Sequence, residues 1–391
     1  MLRPGAADLP APRLGLAALL ATLLATLLAA LLAACAPVLP RAPVPATELP
    51  AAPGLPALPP RCLLAAHVHT HPSDRYSHAP TPANAARAYA PAGLRDALAA
   101  LRRDGVDAVI VTDHNAIAGL WDPAALPAVA GLTVLLGEEW TTRRVHALLL
   151  GFRADGPWDA ILPPPWRTYP DDQDLRDMVE RTHARGGLVV AAHPDVPFRT
   201  WPNDPFGVDG VEVWGLRSVW IRNRRATRRW HDWLVRGERL FALAGTDLHQ
   251  GALLVRRHRA PLNWVDAATC DRPTLLAGLR AGHVLLVRDR RAPRLVLGLE
   301  AGGALDFAEA RAGDAVALAG PVDLQLRVLG GAGARLRVLG RAGVLLTRTL
   351  AGDDAAVRLR LVVRPGDFVR AELHRGARRL AVSNPIYFTA P

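Results

Sequence analysis

The chain contains no lysine: all 47 of its Lys/Arg positions are arginine. That absence excludes a P-loop lysine, a Schiff-base lysine and a carbamylated lysine bridging two metals. A Gly-rich dinucleotide fingerprint is missing as well. The net charge of +11 invites a nucleic-acid partner. Yet the arginines come with abundant Ala, Leu, Gly and Pro, the texture of GC-rich coding, and no nucleic-acid-binding motif accompanies them. The densest basic cluster (Arg222, Arg224, Arg225, Arg228 and Arg229) has the spacing of a solvated helix face, so no nucleic acid is expected. Half of the residues are apolar and 21% charged, which makes the chain globular rather than disordered. Its 391 residues suffice for a large domain plus a small second one.

Cysteine is also scarce, with three in all. Arg3 and Arg13 precede a nearly pure Leu/Ala run over residues 14–34, and Leu32-Ala33-Ala34-Cys35 has the form of a bacterial lipobox. A basic start, an apolar stretch and small residues before the cut describe a signal peptide over 1–35. Cys35 is then the lipidated first residue of an exported, membrane-anchored lipoprotein, periplasmic or on the cell surface. The alternative is a spanning helix, since about 20 apolar residues can cross a bilayer. Residues 36–61, rich in Pro and Ala, read as a semi-rigid linker. Cys62 and Cys270 can pair in an exported protein or remain buried thiols.

From residue 62 onward, apolar runs at 63–68, 108–112, 133–136, 145–152, 188–192, 211–214 and 241–244 read as strands. Stretches with helical periodicity at 92–104, 174–185 and 222–236 lie between them. The alternation predicts a mainly parallel α/β domain over 62–290, closed as a barrel, with chemistry at the C-terminal strand ends. From about residue 293 short apolar runs alternate with Gly- or Asp-containing turns. That predicts a small all-β, sandwich-like domain over 291–391, to which no chemistry is assigned.

The strand ends carry the chemistry. His67 and His69, at i and i+2 on a strand, project to one side and can share a metal. Further along stand Asp113-His114, Glu139, His146, His193 and Asp247-Leu248-His249. Imidazoles with few carboxylates suit Zn²⁺, Mn²⁺ or Fe²⁺. Asp113 reads as a partner orienting a ligand. His183 and His231 read as surface residues, and Asp195 as a group that could reach the edge of the site.

In this order the motifs resemble the polymerase and histidinol phosphatase (PHP) superfamily. His67-Val68-His69 with Ser73-Asp74 is similar to its first motif and Thr112-Asp113-His114-Asn115 to its second. His193-Pro194 is similar to the third, and Gly245-Thr246-Asp247-Leu248-His249 to the fourth. Gly137-Glu138-Glu139-Trp140-Thr141-Thr142, His146, Val211-Glu212-Val213-Trp214 and the terminal Ser383-Asn384-Pro385-Ile386-Tyr387 look closer to its carbaryl-hydrolase-like CehA/McbA branch. The resemblance implies a distorted (β/α)7 barrel with two to three divalent metal ions. His67, His69, Glu139 and Asp247 would hold the first. Glu139 would bridge to a second, completed by His146 and His193, and Asp74, His114 and His249 would hold a third. Glu139 is preferred to Glu138 because its neighbour faces the other side of an extended segment.

Such a site implies a metal-dependent hydrolase acting on small phosphoesters through a metal-bridging hydroxide, with Asp247, His249 and Glu139 as its catalytic groups. Arg75, Arg143 and Arg144, next to ligand positions, are the candidate cations for substrate oxygens. The rival on the same scaffold is hydrolysis of carbamate or carboxyl esters. An amidohydrolase-type barrel shares His-x-His but lacks its bridging lysine here. A noncatalytic metal-binding lipoprotein would be marked by an incomplete ligand set, and a polymerase-associated exonuclease disagrees with the signal segment.

Overall fold

The computed structural model describes residues 46–50, 59–69, 98–99, 101–117, 131–156, 159–162, 170–196, 199–215, 220–248, 261–300 and 310–391. The expected signal peptide and Cys35, together with Asp74, Arg75 and His249, lie outside them. Among the described residues no helix is long and apolar enough to cross a membrane.

In chain order the first strands are β1 (Ala46–Leu49), β2 (Arg61–Val68), β3 (Ala108–Val111), β4 (Thr133–Thr141), β5 (His146–Leu150) and β6 (Leu188–Ala191). The short pair β7 (Asp195–Val196) and β8 (Arg199–Thr200) follows, then β9 (Gly210–Gly215), β10 (Phe241–Leu248), β11 (Leu262–Asp266) and β12 (Val284–Val287). The helices described are α1 (Asp172–Ala184), α2 (Trp220–Arg236) and α3 (Arg272–Arg280). Residues 98, 99 and 101–103 are also helical. At the start of α1, the Asp171 side chain accepts from the Asp174 backbone while the Asp174 side chain accepts from that of Asp171. This reciprocal cap holds the entry to the helix.

Strands β2, β3, β4, β5, β6, β9 and β10 hydrogen-bond in that order, and β10 returns to β2, closing a seven-strand barrel. Pairing is mainly parallel, as the alternation predicts. The exception is β5, antiparallel to both β4 and β6. Only residues 142–145 join β4 to β5, too few for the crossover a parallel pair needs. Regular strand–helix alternation therefore fails at this point.

The later strands are β13 (Arg294–Glu300), β14 (Ala315–Ala317), β15 (Gly320–Leu329), β16 (Arg335–Gly340), β17 (Gly343–Thr349), β18 (Asp354–Val363), β19 (Phe368–Arg375), β20 (Arg378–Ser383) and β21 (Ile386–Thr389). They do not form an isolated sheet. The barrel sheet runs from β2 through β11 and β12 into β20, β19, β16 and β17. A second sheet, in the order β1-β18-β15-β13, shares one continuous apolar core with it, in which Leu63 and Ala65 of β2 join Leu297, Leu324, Leu359 and Leu373. Strand β1 is a correction to the expected linker, since Ala46–Leu49 pairs antiparallel with β18. Two half-buried ends and the ion pair between Glu48 and Arg348 hold it there.

Cys62 of β2 and Cys270, just before α3, form a disulfide across 208 positions of sequence with Cα atoms 5.6 Å apart. Closing so long a loop restricts the unfolded chain, an effect worth about 2–4 kcal/mol. Replacing both cysteines by serine is expected to lower the unfolding free energy in urea by that amount. A change below about 1 kcal/mol, well short of that range, would refute a stabilising role for the bridge.

Candidate metal centre

Two strand irregularities aim the first ligand candidates. Along β2, Ala65 pairs with Val109 but Val68 with Val111, so β2 carries one extra residue. Along β10, Gly245 pairs with Ala66 and Leu248 with Val68, an extra residue again. Such bulges re-aim side chains next to active sites. His67 (φ 60°), Asp247 (φ 45°) and His193 (φ 27°) all have positive φ. Residues other than glycine rarely hold that conformation unless their surroundings enforce it.

The motif glycines are explained by close packing. A Cβ on Gly245 would lie 1.6 Å from Glu212 Oε1, and one on Gly137 would lie 2.8 Å from methyl carbons of Ile110 and Thr112. Gly245 therefore leaves room for the Glu212 carboxylate, and Gly137 lets β4 approach β3. Directly after Gly245, Thr246 donates its hydroxyl to the His67 carbonyl at 2.7 Å and ties β10 to β2.

Everything converges on Glu139, which is completely buried. Its Oε1 lies 2.7 Å from His146 Nδ1 and 3.1 Å from His193 Nε2. Its Oε2 lies 2.7 Å from His114 Nδ1, 3.3 Å from His69 Nε2 and 3.5 Å from His67 Nε2. Asp247 Oδ1 stands 3.7 Å from Nε2 of both His67 and His69, and its side chain is 22% exposed, marking the open side of the cluster. The structure thus brings together His67, His69, His114, Glu139, His146, His193 and Asp247.

Glu138 points elsewhere: its Oε2 accepts from the Ile161 backbone at 2.8 Å, and burial pushes its carboxyl up to about 7. His114 is not set apart from the other candidates, because it shares Oε2 of Glu139. The partners expected beside it, Asp74 and His249, lie outside the described residues, as does Arg75. Arg143 and Arg144 sit exposed in the β4–β5 turn, where the Thr142 hydroxyl accepts from the Arg144 and Val145 backbones. Asp195 is engaged by Arg229, whose Nε and Nη2 reach it at 2.9–3.2 Å. Arg229 therefore departs from the solvated face expected for its helix. His231 is half-buried against the Phe368 ring rather than a surface residue.

Two side chains go beyond the sequence reading. Glu212 is buried and stands 3.2 Å from His67 Nδ1, while its Oε2 accepts from the His193 backbone at 2.8 Å. With Nδ1 facing a carboxylate, His67 keeps Nε2 for the cluster, the usual arrangement behind a metal-binding imidazole. A carboxylate within the apolar run Val211-Glu212-Val213 was the available signal, because a buried charge needs a partner. Asn115 extends the β3–β4 pairing with its side chain, accepting from Thr141 N at 2.8 Å and donating to Thr141 O at 2.9 Å. The Thr141 hydroxyl then lies 2.7 Å from His114 Nδ1.

The donor set fits divalent metal ions. His67, His69 and Glu139 form one group of ligand atoms within 4.8 Å of one another, His114, Glu139 and His146 a second, and His67, His193 and Glu212 a third. Buried His67 Nε2, His146 Nε2 and His193 Nδ1 have no hydrogen-bond partner among the described residues. Burial holds the His146 imidazole down at about 4, neutral and able to donate a lone pair. For Glu139 burial acts upward, but the imidazoles packed around it prevail and hold its carboxyl well below the usual carboxylate range. A carboxylate whose two oxygens face separate imidazole groups is the form of a bridging ligand.

No family model matches the chain. One curated relative, the uncharacterized protein MJ1587 of Methanocaldococcus jannaschii, is 27% identical over 122 residues, 30% of this chain. The match spans 64% of that relative's length. Among solved structures, the chain is similar to a two-domain protein from Bacteroides vulgatus containing a predicted PHP-like metal-dependent phosphoesterase. That pair shares 14% identity over 85% of this chain and 98% of the other, with a TM-score of 0.44. It is also similar to a putative metal-dependent phosphoesterase from Bifidobacterium adolescentis, at 20% identity over 50% of this chain and 90% of the other, with a TM-score of 0.33.

Proposed function

We propose that this chain is a metal-dependent hydrolase of the PHP type, built on a distorted (β/α)7 barrel and acting on small phosphoesters. The observation that carries the reading is the Glu139 carboxylate, with Oε1 facing His146 and His193 and Oε2 facing His67, His69 and His114. On this reading His67, His69, Asp247 and Glu139 would hold one ion, and Glu139, His146 and His193 would hold a second. Bound divalent ions supply Lewis acidity and activate water at neutral pH. The chain's own part is to fix that geometry and move the proton. Asp247, on the open side, would accept the proton of the attacking water on the carboxylate oxygen not given to an ion and return it to the leaving oxygen, while Glu212 keeps His67 in one tautomer. Residues 62–290 carry this chemistry. Export and lipidation at Cys35 are part of the proposal, supported by the lipobox and by the Cys62–Cys270 bridge, which suits an oxidising compartment.

The test uses protein beginning at Pro43, so that β1 is kept, loaded with Mn²⁺ or Zn²⁺. It is offered p-nitrophenyl phosphate and an aryl N-methylcarbamate in parallel. Phosphate release is expected, and Asp247→Asn should reduce it by about 10²-fold or more, the usual scale for a lost general base. Carbamate cleavage alone would replace the phosphoester assignment with the CehA/McbA-like one. Silence on both substrates with metal bound would overturn the hydrolase reading.

A further inference from the structure

A second concave site lies outside the metal cluster, where α2 and the end of β9 face β16, β19 and β20. Its volume is about 1090 Å³, and eight arginines but one carboxylate, Glu372, line it. Arginine abounds in this chain, so the number alone decides little. What distinguishes the groove is the balance of charge. On the four-stranded sheet Arg358 and Arg360 both reach Asp323, and Arg327 reaches Asp354. In the groove Glu372 serves Arg370 Nη1 at 2.6 Å, Arg337 Nη1 at 3.6 Å and His374 Nε2 at 3.0 Å, and at its rim Arg288 Nε stands 3.9 Å from Asp289.

Two of these guanidiniums are built in rather than draped over the surface. Arg370 is 2% exposed and lies over the Trp230 ring at 4.8 Å. Its Nε is buried without a hydrogen-bond partner among the described residues. Arg379 lies over the Trp214 ring at 5.4 Å and donates to the Thr227 hydroxyl at 2.8 Å and to the Val213 carbonyl at 3.3 Å. Burying cations in excess of their counter-charge is costly. Stacking holds the two planar guanidinium groups in place at the floor of the groove. The groove is also larger than one phosphate requires, and its volume lies just above the usual range of small-molecule sites.

We propose that this groove binds a small anion carrying several phosphate groups, at a site separate from the metal centre. Binding would complete the charge balance that Glu372 leaves unfinished, and it would weaken as salt rises.

The experiment is calorimetric titration of tripolyphosphate into the metal-loaded protein and into an Arg337→Ala/Arg378→Ala variant. Arg337 is half-buried and Arg378 exposed, so their loss spares the stacked pair beneath. Saturable binding that the double variant weakens tenfold or more, with turnover at the metal centre unchanged, is the expected result. Should the double variant not fold, Arg337→Ala alone carries the comparison. Tripolyphosphate acting only on the bound metals would give identical titrations in both proteins and would overturn the proposal, as would the absence of saturable binding. Tighter binding of a DNA duplex than of tripolyphosphate, lost in the same variant, would also overturn it and make the groove a nucleic-acid surface.

Discussion

On the proposed reading, Glu139→Gln should leave a folded protein that no longer retains divalent metal. The carboxylate is the one group that all five clustered imidazoles share, at 2.7–3.5 Å. The amide keeps the shape and one acceptor oxygen, but it loses the negative charge and presents an NH₂ toward ring nitrogens that need an acceptor or an ion. Removing a group that merely orients a ligand costs metal affinity about 10- to 100-fold. A carboxylate shared in the proposed way should cost more than about 100-fold, beyond the top of that range. Metal content after dialysis, measured beside far-UV circular dichroism, reads this directly. Full metal retention in a folded variant would show that Glu139 is not the shared ligand. Glu138→Gln is the matched control. Its side chain bonds the Ile161 backbone instead, so metal content should be unchanged while stability falls.

The cluster was legible because its members are short motifs at strand ends, and imidazoles bunched at such positions have few other uses. His67, His69, Glu139, His146 and His193 could be named from the order of these motifs and the family resemblance that order carries. Other features are long-range and leave little local trace. The antiparallel insertion of β5 depends on the shortness of the 142–145 connection, which the apolar run at 145–152 does not reveal. The pairing of Ala46–Leu49 with β18 joins residues about 300 positions apart, inside a Pro/Ala-rich segment whose composition argues for a tether. Glu212 looked like part of a strand, and its partner His67 is 145 positions away. The basic groove is assembled from α2, β16, β19 and β20, so its charge imbalance emerges only once those elements are packed together.

Asn384→Ala is expected to be among the most destabilising single changes in the chain, although it touches neither metal nor groove. Near its start β10 pairs with β9 on one side, but its pairing with β2 begins only at Gly245. The backbone groups left over are met by two buried asparagines. Asn263 Oδ1 accepts from Ala244 N at 2.9 Å and its Nδ2 donates to Ala244 O at 2.8 Å. Asn384 Oδ1 accepts from Ala242 N at 2.6 Å, and its Nδ2 donates to Ala242 O at 3.3 Å and Val284 O at 3.1 Å. Each amide stands in for a peptide group of a missing neighbouring strand. Tyr387 adds a hydroxyl bond to the Leu240 carbonyl at 3.1 Å, so the Ser383–Tyr387 motif stitches the chain's end to the strand that carries Asp247. Alanine at 384 would leave one donor and two acceptors buried without partners. At about 1–3 kcal/mol for each unsatisfied group, the loss should reach roughly 3–5 kcal/mol once some relaxation is allowed. That is a large share of a typical folding free energy of about 5–15 kcal/mol. The midpoint of urea unfolding should fall with an unchanged slope, and Asn263→Ala should behave alike. Removing residues 291–391 takes away Asn384 and the β20 partner of β12 together, and should yield no soluble barrel. If Asn384→Ala shifts stability by less than about 1 kcal/mol, these buried groups have found other partners and the side-chain ladder is not what closes β10.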